Sequence, residues 1–387
     1  MKRILITSIG TGGDIIPFIK IGKNLAHKGY DILFITHKYY QEQIQSLGLA
    51  CDVIDTIESY QLYLHDLPLL NKPNSVPLFF KKHILPLEFK VYKKIEKWAR
   101  KNDSLIIARA IPGLAARMYK EKYALPLILA YMSPNNVSAL SLLEELVKHF
   151  FHNELNAFRT SLNFPPINDW KAWFDVCDAF LCLWPKWFGA NSQPVHEKMF
   201  YPGFLGYCNN AVYNCGYNNK ISDSSILITH GTSIPDGISF FSICNEALAG
   251  LNKKGLFVTP FDVFKDFFEK NELCWVPRLP FEVVFPEMEL IIHHGGMGTT
   301  AQAIKAGVPQ IIIPDNSERK ENAVRLRKTG CGDYLLPAHF NSEKLAEKIR
   351  AAIGSCEMKE NLKRYSKRIN EKESLENVFL KLDMHLT

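Results

Sequence analysis

Between Leu290 and Ile313 the chain passes from strand to glycine to helix to strand. A short apolar run, Leu290-Ile291-Ile292, ends in His293-His294-Gly295-Gly296-Met297-Gly298-Thr299-Thr300. A helical pattern then runs to Ala306-Gly307, and a second apolar run follows, Val308 to Ile313. This is the layout of a βαβ unit. The turn leaves backbone N–H groups unpaired at a helix N-terminus, with little side-chain bulk to block an approaching anion. Such a turn suits a phosphate or diphosphate.

The start of the chain alternates in the same way. Ile4 to Ile9 reads as a buried strand, Gly10-Thr11-Gly12-Gly13-Asp14 as a tight turn, and Ile15 to His27 as a helix ended by Gly29. Asp31 to Thr36 is the next expected strand, Tyr39 to Leu47 a helix, and Ala50 to Ile54 a third strand. Such an opening implies a parallel, doubly wound sheet, hence the α/β class. Residues 56–98 are less regular. Alternation returns with strands at Leu105–Ala108, Leu127–Ala130 and Ala179–Leu183 and a helix at Gly113–Lys122. Residues 206–224 are rich in Asn, Gly, Ser and Tyr and read as a linker. A second alternating unit starts at Ser225, with a helix over about 237–250 and a strand at Leu256–Thr259. The expected domains are therefore 1–205 and 225–370, with a charged C-terminal helix over 371–387 packing back on the first domain.

Composition narrows the class. The 387 residues exceed one ordinary core and suit two α/β domains. A net charge of +6, spread along the chain, gives no support to nucleic-acid binding. Lys81, Lys82, Lys90, Lys93, Lys94 and Lys97 cluster locally. They read as a solvated helix face, with an anionic headgroup or substrate as the alternative. The nine Cys form no C-x-x-C pair, and Cys177/Cys182 and Cys208/Cys215 lack companion ligands at zinc spacing. A reduced, cytoplasmic protein without a metal site is the simplest expectation. MKRILITSIGTGG has too short an apolar run for a signal peptide, and no run approaches the ~18–20 apolar residues of a membrane span. Peripheral membrane contact stays open.

Two stretches carry a family resemblance. Gly10-Thr11-Gly12-Gly13-Asp14-Ile15-Ile16-Pro17-Phe18 is similar to the G-x-x-G-D-V-x-P opening of the family 1 nucleotide-sugar glycosyltransferases. Trp275-Val276-Pro277 through Asn322-Ala323 resembles their donor-binding box, most closely that of the bacterial antibiotic, sterol and rhamnolipid-type members. The resemblance implies the GT-B fold: two Rossmann-like doubly wound domains facing an interdomain cleft, acceptor on the first and donor on the second. It assigns His294 to the donor diphosphate and Gly296, Gly298 and Thr299 to the phosphate-holding turn. Thr232 and Ser233 fall near the phosphates. Trp275 falls where an aromatic packs on the nucleotide base, although a Trp beside a strand is equally a core residue. Gln302 stands where many relatives place a ribose-binding Glu.

The sequence departs from the family at Glu318-Arg319, where relatives carry Asp-Gln. Glu318 reaches one methylene further toward sugar hydroxyls, whereas a guanidinium only donates. Either the donor sugar is acidic or unusual, or Arg319 turns to a salt bridge. For the acceptor hydroxyl, the resemblance places a general base at Asp14, which as a residue at a helix start is also a candidate N-cap. The expected acceptor side includes Gly12, Gly13, Tyr60 and Phe79. The aromatic content of 56–98 and 132–175 suits a hydrophobic small molecule or lipid, or simply a core. The leading expectation is an inverting transfer from a UDP- or dTDP-sugar, with the nucleotide-sugar as co-substrate and no cofactor or metal. A catalytically silent auxiliary protein and a nucleotide-sugar 2-epimerase are the alternatives.

Overall fold

The computed structural model describes residues 2–100, 103–189, 197–205, 224–231 and 237–386. The expected linker, residues 206–224, lies almost wholly outside these, as do Thr232 and Ser233. Contacts divide the chain into two units, Met1–Leu205 with Lys372–Thr387, and Gly206–Glu371.

The first unit holds a seven-stranded parallel sheet. Its strands are β1 (Arg3–Thr7), β2 (Asp31–Thr36), β3 (Ala50–Val53), β4 (Ser104–Arg109), β5 (Leu127–Tyr131), β6 (Ala179–Cys182) and β7 (Met199–Phe200), in the order β3-β2-β1-β4-β5-β6-β7. The second unit holds β8 (Ile226–Thr229), β9 (Gly255–Val258), β10 (Cys274–Val276), β11 (Leu290–His293), β12 (Gln310–Ile312) and β13 (Gly332–Tyr334), in the order β10-β9-β8-β11-β12-β13. Both orders are the doubly wound Rossmann arrangement. The winding reverses between β1 and β4 in one unit and between β8 and β11 in the other.

Strand residues divide between the two faces by the period of two. In the second sheet Ile226, Ile228, Leu290 and Ile292 pack with Phe240, Phe241, Leu345 and Ile349, while Leu227, Leu256 and Ile291 pack with Val284, Phe285 and Ala303. Apolar residues facing both ways are what a sheet covered on both sides requires. Each fully buried Ile or Leu contributes roughly 1.5–3 kcal/mol. The C-terminal helix, Glu371–Leu386, belongs to the first unit. There the Tyr30 hydroxyl donates to Asp383 at 2.7 Å, and the Lys28 ammonium lies 4.1 Å from the Phe379 ring centre. Among the described residues no helix is long and apolar enough to cross a membrane.

Several local expectations change. The first helix begins at Gly12 rather than Ile15, and the segment expected as a helix from Tyr39 to Leu47 is a 3-10 turn, Lys38–Tyr40, followed by a short helix, Gln41–Gln45. Strands β7, β10 and β13, of two or three residues, are too short to show a period in sequence.

The loop after β4 is held by a buried cation. Arg117 is fully buried and donates to the carbonyls of Ala110, Pro112 and Gly113 at 2.9–3.0 Å, and to Phe174 at 2.9 Å. Arg117→Met keeps the apolar stem but unpairs these carbonyls. It is expected to cost about 3 kcal/mol, read as a lower urea midpoint.

Candidate active site

In an open parallel sheet the crevice at the carboxyl ends of the strands, where the winding reverses, is free of crossover helices and becomes the place for ligands. In the first unit the segments leaving β1 and β4 meet there. Ser8 to Gly13 follows β1, and Arg109 closes β4. The helix Gly12–His27 begins at this turn with Thr11 as its N-cap, so Asp14 is the third helical residue and not the cap. The N-cap expectation for Asp14 is corrected accordingly. Its carboxylate turns back on the cap instead: Oδ2 accepts the Thr11 N–H at 2.9 Å, half of a capping box. Oδ1 pairs with Arg109 Nη2 at 2.8 Å, and Arg109 Nη1 donates to the Ile9 carbonyl at 3.0 Å.

The same turn is fixed from below. The Gly10 N–H donates to His37 Nε2 at 3.1 Å, so the His37 proton sits on Nδ1, which faces Asp55 at 2.6 Å. A Cβ on Gly10 would lie 2.3 Å from Asp14 Oδ2, and φ there is +150°, so glycine lets the carboxylate fold back.

Tyr60 donates to the Gly10 carbonyl at 3.3 Å and bonds the Tyr40 hydroxyl at 2.9 Å. It is 2% exposed and Phe79 is 1% exposed. Burial leaves neither ring a face for an acceptor, which corrects their expected role as acceptor contacts; both support the turn and its neighbours. Gly12 is buried as the first helical residue, whereas Gly13 faces open space.

The second unit repeats the plan. Thr229-His230-Gly231 leaves β8, and His294-Gly295-Gly296 leaves β11. The helix Met297–Ala306 starts at once with Gly296 as its N-cap, so its first N–H groups lack helical acceptors. The His294 ring fits between two glycines. A Cβ on Gly231 would come within 2.3 Å of it, and one on Gly296 within 2.6 Å. Its ring lies 5.9 Å from that of His230, at 27°. Burial holds the His294 pKa well below the usual histidine value, helped by Arg319, His230 and His293, and the Thr229 carbonyl acts weakly the other way. The imidazole is therefore neutral.

His293 has a different task. Its Nδ1 accepts the Gly295 N–H at 3.1 Å and its Nε2 meets Gln310 Oε1 at 2.9 Å, so it shapes the turn from within the core. Asn322 donates to the Gly295 carbonyl at 3.0 Å from the helix Ser317–Thr329. Gly295, at φ +97°, also abuts Arg319, whose Cβ would be 3.3 Å from an added Cβ. Thus His294, Gly296, Gly298, Thr299 and the start of the next helix, with Glu318 and Arg319, are gathered at one end of the sheet. The Arg319 guanidinium pairs with Asp315, and Asn316 caps that helix by accepting the Arg319 N–H at 2.9 Å.

Two expected donor residues are more withdrawn. Gln302 is 7% exposed, a turn further along the helix. Trp275, on β10, stacks on Phe268 at 5.6 Å and donates Nε1–H to the Thr259 carbonyl at 3.1 Å, so one face and its polar handle serve the core. Arg109, Asp315 and the buried His37–Asp55 pair were missed by sequence reasoning. Arg109 had one available signal: a charged residue closing a buried strand at its carboxyl end.

Comparisons with known proteins meet this geometry at both ends. Residues 4–111 match the glycosyltransferase family 28 N-terminal domain, and residues 271–376 match the C-terminal domain of erythromycin biosynthesis protein CIII-like proteins. The uncharacterized UDP-glucosyltransferase YdhE of Bacillus subtilis (strain 168) is 22% identical over 99% of this chain and 98% of its own. Among solved structures, the glycosyltransferase of kitacinnamycin superposes with a TM-score of 0.79 at 15% identity, covering 100% of this chain and 99% of that one. The glycosyltransferase VinC, in complex with dTDP, gives 0.69 at 16% identity over 99% of each chain. The two units share the GT-B fold of these solved structures. The domain models at the two ends of the chain and the full-length relatives support a glycosyltransferase of the family 1 type.

His293 gives the site a pH signature. Burial lowers its pKa to about 4, against about 6.5 when unfolded. As pH falls below 6.5 the unfolded chain binds a proton that the folded chain refuses, so stability declines toward pH 4, by up to about 1.4 kcal/mol per pH unit. His294 adds in the same direction. His293→Asn retains an acceptor for the Gly295 N–H but cannot titrate. Its melting temperature is expected to fall less steeply than that of the wild type between pH 6.5 and pH 4.

Proposed function

We propose that this glycosyltransferase moves a sugar from a UDP- or dTDP-sugar to a hydroxyl of a hydrophobic acceptor, with inversion at the anomeric carbon. The observation that carries the reading is the neutral His294 imidazole seated between Gly231 and Gly296 at the head of the Met297–Ala306 helix. A diphosphate there would meet backbone N–H groups, the helix dipole and the neutral imidazole ring. All of these strengthen as charge develops on the departing diphosphate. The dTDP complex of VinC and the UDP-glucosyltransferase relative support these two nucleotides as donors.

In the reaction, the acceptor hydroxyl gives its proton to Asp14 as its oxygen attacks the anomeric carbon. The bond from that carbon to the diphosphate oxygen breaks, and its electron pair leaves with the nucleotide. Asp14 then returns the proton to solvent. In this reading no metal enters these steps, and helix N–H groups and the neutral His294 ring stabilise the leaving diphosphate through their dipoles. Exposed apolar side chains at Leu62, Leu70 and Leu78, in the segment inserted between β3 and β4, support an apolar acceptor.

The test pairs binding with turnover. UDP or dTDP should raise the melting temperature of the wild type by linkage, and His294→Ala should lose that shift. Asp14→Asn should keep the shift yet lose at least about 100-fold in nucleoside diphosphate release from UDP-glucose or dTDP-glucose in the presence of 4-methylumbelliferone. Retained turnover in Asp14→Asn would remove the base assignment, and a wild type that no nucleotide stabilises would remove the donor assignment.

The Asp315 partner of Arg319 favours a neutral donor sugar. A guanidinium already paired has little net charge to offer a sugar carboxylate. Arg319→Gln should therefore leave the ratio of rates for UDP-glucose and UDP-glucuronate unchanged within about threefold. A collapse of turnover confined to the acidic sugar would reverse this reading.

A further inference from the structure

We propose that Arg109 is the positioning residue for Asp14, leaving its carboxylate a single direction in which to take a proton. The proposal rests on Asp14 being the base. A carboxylate has about four lone-pair sites, two on each oxygen. On Asp14, Oδ2 receives the Thr11 N–H at 2.9 Å and the Thr11 hydroxyl at 3.3 Å. Oδ1 receives Arg109 Nη2 at 2.8 Å. Gly10 closes the side on which a Cβ would stand 2.3 Å from Oδ2. Among the described residues one site remains, on Oδ1, and the Asp14 side chain is 19% exposed. An incoming hydroxyl is therefore recruited to one oxygen along one line. Only one acceptor orientation places its proton there, which is a source of regioselectivity independent of any apolar wall.

Arg109 suits this task because it is itself held. Its second nitrogen, Nη1, donates to the Ile9 carbonyl, tying the β4 end to the β1 end across the switch point. The loop that follows it is clamped by Arg117 through three carbonyls. Glu88 accepts the Ala115 N–H at 2.7 Å, and burial raises its pKa to about 6. Arg109 and Glu88 line the same small cavity beneath the turn, with Ser8 and Gly113.

The experiment uses the full chain in four variants. A crystal structure of Arg109→Gln should show the Asp14 carboxylate rotated away from its Oδ1 direction or split between conformers. A carboxylate unmoved in that structure would overturn the proposal whatever the donor turns out to be. In the nucleoside diphosphate release assay, Arg109→Gln should lower kcat about 10- to 100-fold while the donor KM stays within about twofold. Arg109→Lys should recover part of kcat. In an Asp14→Asn background, Arg109→Gln should add no further loss, since a residue acting through Asp14 has nothing left to position. Full additivity would instead assign Arg109 an independent role and defeat the proposal. Undiminished turnover of Asp14→Asn itself would strike at the base assignment, a different failure from an unmoved carboxylate.

Discussion

A parallel sheet wound in both directions must change direction somewhere, and at that point no crossover helix can cover the strand ends. The constraint is topological and acts before any side chain is chosen. Here it acts twice, between β1 and β4 and between β8 and β11. Each time a glycine-bearing turn fills the gap and a helix starts immediately behind it. The first gap is bridged by a carboxylate and a guanidinium, Asp14 and Arg109. The second is bridged by two imidazoles, His230 and His294. One architecture therefore carries an ion pair at the turn in one unit and a pair of imidazoles in the other, and the difference lies in a few side chains at matching places.

Much of this was legible in the sequence because the signals are local. A run of Ile and Leu ending in Gly-Gly is a strand, a turn and a helix start within a few residues, and both Rossmann units follow from that reading. His294, Gly296, Gly298 and Thr299 follow β11 within a few residues, so their common place at one sheet end is set by the chain itself. What escaped notice is what depends on strand adjacency. Arg109 lies far along the chain from Asp14 and meets it only because β4 pairs with β1, Thr7 opposite Ala108. Nor does sequence distinguish an aromatic that walls a pocket from one that supports a turn. Tyr60 and Phe79 belong to the second kind because the His37–Asp55 pair and its neighbours draw them inward.

The two units manage burial of charge in different ways. In the first, cations are kept ionised and satisfied: Arg117 by carbonyls, Arg159 by a bidentate pairing with Glu121 at 2.7 and 2.8 Å, Arg109 by Asp14. In the second, the histidines at the turn are kept neutral by burial. The second unit thus presents dipoles at its turn, and the first an ion pair.

The Arg319–Asp315 pair, one helical turn apart, is an electrostatic latch beside the phosphate turn. Closed, it presents almost no net charge to whatever lies against the helix. Were Asp315 replaced by a neutral residue, the guanidinium would lose this counter-charge, and the field at the start of the Ser317–Thr329 helix would be set by its remaining neighbours. An aspartate outside the glycine turn thus governs the charge that the turn meets at its flank.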